Sequence, residues 1–297
     1  MNGDPTPIPC FREWEGHSDP LFHLGVDEMT NGSATPGTAD EHKEDSAVPD
    51  FSLVGKKAFV TGSSRGIGRA VALALAHAGA DVAISCNTGG SAAEDVCGII
   101  RTMGRKARYY AHNVALESEI EAMCNEVKRD FGSIDILVNN AAINRDRSFK
   151  KLTKEAWDEV ITTDLTSVFL VTKHFIDEMA ERGWGRVINM SSMSGEIGNY
   201  GQANYAAAKA GMIGLTKTLA REYARKGVTV NAVAPGFTRT RMTEGIPDKA
   251  MEPILAATPL GRMADPVEVA AGVVFLASPS ASFVTGVVLD INGGYSM

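Results

Sequence analysis

The sequence is poor in the features that mark membrane, metal and nucleic-acid proteins. No apolar run reaches the length of a membrane span, and the amino terminus lacks a basic region followed by an apolar core. Neither a spanning helix nor a secretory signal is therefore expected, and the acid-rich amino-terminal stretch argues against mitochondrial import. Only four cysteines occur (Cys10, Cys86, Cys97 and Cys124), without metal-ligand spacing, and the six histidines do not cluster. No metal is inferred, and the cysteines read as reduced thiols of a cytoplasmic protein. Basic residues are also in deficit, with 29 Lys and Arg against 36 Asp and Glu. Residues 1–50 hold 11 acidic and 2 basic side chains, whereas the remainder holds 25 acidic and 27 basic. A body so close to neutral argues against a nucleic-acid surface.

Two regions follow from composition. Residues 1–50 are rich in Pro, Asp, Glu, Ser and Thr, as in Asp40-Glu41-His42-Lys43-Glu44-Asp45, and are expected to be disordered. Trp14, Leu21, Phe22 and Leu24 are the groups there that could dock on the body or a partner. From Phe51 to Met297, apolar strand-like runs near 57–61, 81–86, 107–112, 135–138, 186–191, 228–233 and 287–291 alternate with helical patterns. The helices are expected near 66–78, 90–103, 117–131, 153–181, 203–226 and 265–277. This order predicts an α/β domain over 51–297, a single doubly wound, Rossmann-like parallel sheet with helices on both faces. The segment 237–262, with Pro247, Pro253, Pro259 and Gly261, reads as a lid.

The first strand, Ala58-Phe59-Val60, runs into Thr61-Gly62-Ser63-Ser64-Arg65-Gly66-Ile67-Gly68 and then an alanine-rich helix. Glycines let a backbone turn tightly against a pyrophosphate, and a helix start offers it free N–H groups. Gly62, Ser64, Arg65, Gly66, Ile67 and Gly68 are thus candidate dinucleotide-binding residues. An NAD site usually places a carboxylate at the end of the second strand. Cys86 and Asn87 stand there instead, and Arg65 adds a cation able to pair with a 2′-phosphate. The pattern favours NADP (NADPH).

Tyr205 and Lys209 are four residues apart on an expected helix and share a face. A nearby ammonium lowers a phenol pKa toward working pH, and Ser192 could hydrogen-bond a substrate oxygen. Such a trio suits proton delivery to a carbonyl during hydride transfer. Alone, Tyr-x3-Lys is a weak signal that more often marks an ordinary amphipathic face.

Together with Asn139-Asn140-Ala141-Ala142 and Pro235-Gly236, these motifs resemble the short-chain dehydrogenase/reductase family over residues 51 to 297. Within it, the run from Gly198 to Gly211 and the ending Asn292-Gly293-Gly294-Tyr295-Ser296-Met297 are similar to 3-oxoacyl-(acyl-carrier-protein) and acetoacetyl-CoA reductases. The resemblance implies NADPH-dependent reduction of a 3-oxoacyl thioester, carried by acyl carrier protein or CoA. Tyr205 would be the general acid, Ser192 would polarise the carbonyl, and Lys209 would hold the nicotinamide ribose. Asn139 and Ala141 would line the cofactor cleft, Val114 would border the adenine, and Pro235, Gly236, Thr238 and Thr240 would pack against the nicotinamide. Arg182 and Lys226 are basic candidates for a rim that meets the carrier's phosphate, or ordinary solvated charges.

Three positions depart from the family pattern. Asp164 replaces an Asn of the proton relay, Ala142 a Gly, and Asn113 an Asp ahead of Val114. A buried Asp164 needs a partner, and Lys209 is the obvious one, at the risk of drawing it away from Tyr205. Two other readings stay open: a dehydrogenase of another alcohol or ketone, or a cofactor-binding protein with weak catalysis. Small and apolar residues around the long helices, including Ala206, Ala210, Gly211 and Gly214, match faces that relatives bury in a homotetramer.

Overall fold

Short strands dense in Val, Ile and Ala build a seven-stranded sheet, ordered β3-β2-β1-β4-β5-β6-β7, in the computed structural model, which describes residues 48–297. The expectations for the acidic stretch, Cys10 and the apolar groups from Trp14 to Leu24 fall outside the described residues. The strands are β1 (Lys57–Val60), β2 (Asp81–Cys86), β3 (Ala107–Ala111) and β4 (Ile136–Asn139). They continue with β5 (Gly185–Met190), β6 (Val228–Pro235) and β7 (Val288–Ile291). Every pairing is parallel, so the doubly wound fold expected from the strand–helix alternation is what forms.

Parallel strands must be covered on both faces, and side chains alternate between them. Ala58 and Val60 enter one apolar layer with α1 (Gly66–His77), α2 (Ser91–Thr102) and α9 (Pro266–Ala277). Phe59 and Leu137 enter the other, under α3 (Glu117–Phe131) and α5 (Ser167–Glu181). There the rings of Phe59 and Phe175 meet edge to face at 5.7 Å, a favoured aromatic geometry. Helix α9 starts sharply because Pro266 follows Asp265, whose side chain forms a capping box with Glu268.

The strand order reverses beside β1: β2 and β3 lie on one side, β4 onward on the other. Such a switch point opens a crevice at the carboxyl ends of the strands. Three further elements border it. The expected single helix 153–181 is α4 (Lys154–Ile161) joined to α5 through a π turn, Thr162–Thr166. Helix α7 (Ala203–Tyr223) follows the short α6 (Ser194–Ile197). The segment after β6 leaves and returns beside itself, since Ala264 N–H donates to the Phe237 carbonyl and Arg239 N–H to the Ala264 carbonyl, both at 2.9 Å. Between these ends lies α8 (Asp248–Ala257), absent from the sequence-based assignment because Pro253 sits within it.

Removing the ring in Phe175→Ala should cost about 3–5 kcal/mol of stability. Chemical denaturation would register this as a lower midpoint, and an unchanged midpoint would contradict the proposed core.

Candidate active site

A cleft of about 680 Å³ opens over the carboxyl ends of β1, β4, β5 and β6. Its floor at the switch point is built by close backbone approach. Gly62 has φ +63°, and a Cβ there would lie 2.7 Å from Ala141 Cα. A Cβ on Gly68 would fall 2.4 Å from Asn140 Nδ2 and 2.5 Å from the Gly62 carbonyl oxygen. The Asn140 amide nitrogen and the Ala141 N–H donate to Thr61 Oγ1 at 2.9 and 3.0 Å, while Asn140 Nδ2 donates to the Thr61 and Gly62 carbonyls. These contacts lock the glycine turn to the loop after β4. The free N–H groups at the start of α1 and the missing Cβ atoms make a cradle that fits a pyrophosphate. Arg65, exposed and making no hydrogen bond or ion pair among the described residues, borders the cleft beside Ser85, Cys86 and Asn87. No acidic side chain from β2 or the loop after it lines this end.

At the other end, Ser192, Tyr205 and Lys209 line one wall together. Ser192 sits in the turn after β5, its hydroxyl accepting from Ser194 N–H at 3.1 Å. That turn presses directly on α7: a Cβ on Gly195 would stand 2.8 Å from Lys209 Cβ. Helix α7 presents Tyr205 and, one turn on, Lys209, whose ammonium lies 5.3 Å from the Tyr205 ring centre. Lys209 is only 1% exposed and donates to the Met190 carbonyl at 2.9 Å. Asp164, fully buried, approaches the same ammonium at 3.5 Å and accepts from Ile143 N–H at 2.9 Å. The ion pair considered from the sequence therefore forms, yet the lysine still faces Tyr205.

The electrostatics differ in one respect from the sequence-based expectation. Burial pushes the Tyr205 phenol above its ordinary value; Lys209 pulls it down, as does the Ser192 hydrogen bond, but Asp164 and Asp146 push with the burial. The net direction is upward, so the neighbouring ammonium moderates the shift without reversing it. Burial likewise raises Asp164, opposed by Lys209 and by the Ile143 N–H.

Most of the other candidate residues border the cleft: Ser64, Gly66, Ile67, Asn113 and Val114 at the dinucleotide end, and Pro235, Gly236, Thr238 and Thr240 at the other. Asn113 Oδ1 accepts from Ala115 N–H at 3.0 Å, shaping the turn after β3 without a charge. Four expectations need revision. Asn139 does not reach the cleft; its amide donates to Thr172 and Asn189 in the interior, and Asn140 takes the place beside the glycines. Asp164 does not line the cleft either; its carboxylate meets the site only through Lys209 and the Ile143 N–H. Arg182 binds the Ile134 carbonyl and Asp135 ahead of β4, and Lys226 covers the Tyr223 ring ahead of β6. Both lie at the amino ends of strands, away from the cleft of their own chain, whose rim instead carries Arg145 and Arg241.

Residues missed from the sequence are mostly polar groups that hold others in place. Asn204, fully buried, accepts from Tyr205 N–H at 2.9 Å and donates to the Ala156 carbonyl at 3.0 Å, fixing the start of α7 against α4. Its position next to Tyr205 was the available signal. The Met190 and Ile143 backbone groups offered none.

The sequence model of the family described as "Enoyl-(Acyl carrier protein) reductase" matches residues 62–296. The chain is 47% identical over 247 residues to the 3-oxoacyl-[acyl-carrier-protein] reductase FabG of Vibrio cholerae, covering 83% of this chain and 100% of that protein. It is 45% identical over 242 residues to the FabG of Staphylococcus aureus, covering 82% and 98%. Among solved structures, it is similar to a candidate gluconate dehydrogenase of Agrobacterium tumefaciens (TM-score 0.80, 34% identity, 84% and 100% covered). A candidate short-chain alcohol dehydrogenase of Sinorhizobium meliloti matches similarly (TM-score 0.80, 33% identity, 83% and 98% covered).

Two outcomes follow from this geometry. Gly195→Ala should part the Ser192 turn from α7, costing about 1–3 kcal/mol and lowering turnover more than cofactor affinity, as kinetics beside cofactor titration would register; equal effects on both would contradict it. Glu196, exposed on α6, is raised to about 7 by partial desolvation and by the neighbouring Asp290 carboxylate. The native state then holds more protons than the unfolded chain between the usual carboxylate range and that value, so stability falls as pH rises through this window. Glu196→Gln should raise the melting temperature relative to the parent above this window and change it little below; equal shifts on both sides would refute the assignment.

Proposed function

The chain belongs to the short-chain dehydrogenase/reductase family, and from that premise we propose that it is an NADPH-dependent reductase of 3-oxoacyl thioesters. The observation that carries this reading is the meeting of Ser192, Tyr205 and Lys209 in one cleft with the glycine cradle. The relatives from Vibrio and Staphylococcus, 45–47% identical over nearly their whole length, support the substrate class. A reduced nicotinamide supplies hydride when bound.

The chain's own residues do the rest. Ser192 donates a hydrogen bond to the substrate carbonyl oxygen and fixes its direction. Tyr205 gives that oxygen its phenolic proton. Lys209 holds the nicotinamide ribose and stabilises the phenolate left behind. Gly62, Gly66 and Gly68 let the pyrophosphate approach the start of α1, and Arg65 pairs with the 2′-phosphate. Arg145 and Arg241 at the rim suit the anionic arm of an acyl carrier protein or CoA. The segment from Phe237 to Ala264, pinned at its base, acts as the lid.

A homotetramer and a cytoplasmic setting belong to the same proposal. Phe169 on α5 is 47% exposed, Ala210 and Gly214 face outward on α7, and the thiols of Cys86, Cys97 and Cys124 are unpaired and buried. A second reading, oxidation of a sugar acid or another alcohol, draws support from the likeness to the gluconate dehydrogenase candidate.

Tyr205→Phe should lower acetoacetyl-CoA reduction at least about a hundredfold while leaving NADPH affinity nearly intact; unchanged turnover would refute the mechanism. Activity on gluconate but none on the thioester would favour the second reading. Arg65→Ala should raise the KM for NADPH about tenfold or more and leave that for NADH alone; a parallel change in both would remove Arg65 from cofactor choice.

A further inference from the structure

Lys209 is asked to serve three acceptors of negative charge at once. Its ammonium donates to the Met190 carbonyl at 2.9 Å, stands 3.5 Å from Asp164 Oδ2 and faces the Tyr205 ring at 5.3 Å. Opposite charges this deeply buried need each other as partners. Asp164 Oδ1 is satisfied by Ile143 N–H, but Oδ2 accepts no hydrogen bond among the described residues and lies 3.5 Å from the ammonium. The π turn at Thr162–Thr166 carries this carboxylate to the ammonium without bringing it into the cleft lining. A neutral amide at this position would leave the whole cation to the phenol; a carboxylate takes a share.

The consequence concerns direction. Reduction needs Tyr205 protonated, since the phenol gives up the proton; alcohol oxidation needs the phenolate as base. We propose that Asp164 is a positioning residue that biases the site toward reduction. By sharing the Lys209 ammonium, it adds to burial in holding the Tyr205 phenol protonated and moves alcohol oxidation further into the alkaline range. Other charged groups leave this balance in place. Asp146, from the loop after β4, faces the phenol with the same sign and is held by Gln202 Nε2 at 3.0 Å. Arg145 and Glu159 on the cleft wall are paired with each other at 2.6 Å, and Arg241 lies on the lid segment. Burial of the phenol acts in the same direction as the two carboxylates.

The inference rests on Tyr205 as proton donor, not on the identity of the substrate. Its test therefore reads the phenol without turnover. Phenolate absorbance of the full chain, minus that of Tyr205→Phe, is titrated from about pH 6 to pH 11, then repeated with Asp164→Asn and Asp164→Ser, each against its own Tyr205→Phe partner. Both substitutions should lower the Tyr205 midpoint by about one pH unit, giving about tenfold more phenolate at neutral pH. Asp146→Asn should lower it less. In the unsubstituted chain, oxidative kcat/KM on any alcohol turned over should still climb beyond about pH 9. Superposable titrations with and without Asp164, or an oxidative plateau below about pH 8, would overturn the proposal. A shifted midpoint without carbonyl reduction would uphold it while refuting the thioester-reductase reading.

Discussion

A single buried ammonium organises the functional end of this molecule. Lys209 has almost no contact with water, so its charge must be met inside the protein. The Met190 carbonyl at the end of β5 and the Asp164 carboxylate in the π turn meet it from two sides. Helix α7, strand β5 and the π turn between α4 and α5 are thereby tied at one point. Tyr205 lies one turn away on the same helix, and Ser192 follows Met190 by two residues, so the tie also fixes the reacting pair. Ser191, between them, donates its hydroxyl to the Lys209 carbonyl at 3.0 Å and closes the arrangement.

The cleft as a whole is set by a different constraint, the absence of side-chain volume. Gly62, Gly68, Gly195 and Gly236 each stand where a Cβ would come within 3 Å of a neighbour's backbone or Cβ atoms, or of Asn140. These glycines let the ends of β1, β4, β6 and β7 and the helices α1, α6 and α7 come together around one crevice. Polar side chains then hold the gaps at fixed width: Thr61 and Asn140 between β1 and β4, Asn139 and Asn189 beneath them. A cleft built from close backbone contacts and buried hydrogen bonds keeps its shape, which is what alignment of a ring, a carbonyl and a phenol demands.

Much of this was legible in the sequence, for identifiable reasons. Alternating apolar runs and amphipathic segments encode a parallel sheet through side-chain periodicity, and the seven strands fall where the runs lie. Glycine spacing and the Tyr205–Lys209 interval are local signals, and both sites sit in the cleft. What escaped was non-local or written in the backbone. The π turn packs against α7, a non-local contact, and nothing between Thr162 and Thr166 announces it. Asn139 and Asn140 are indistinguishable as neighbours until alternation in β4 sends one inward and the other to the crevice. The upward shift of Tyr205 reflects burial, which a helix face alone does not disclose. Arg182 and Lys226 carry the right charge, but strand polarity puts them at the wrong end of the sheet.

The claim that Lys209 and Asp164 form one mutually dependent buried pair is open to a direct measurement, a double-mutant cycle read by chemical denaturation. Lys209→Met should destabilise the fold by about 3–5 kcal/mol, because it leaves the Asp164 carboxylate uncompensated. Adding Asp164→Leu should restore most of that loss, since two apolar side chains replace two charges, although catalysis would stay absent. If the double variant instead lost the sum of the two single losses, the pair would not be coupled, and Lys209 could not be the tie on which the site depends.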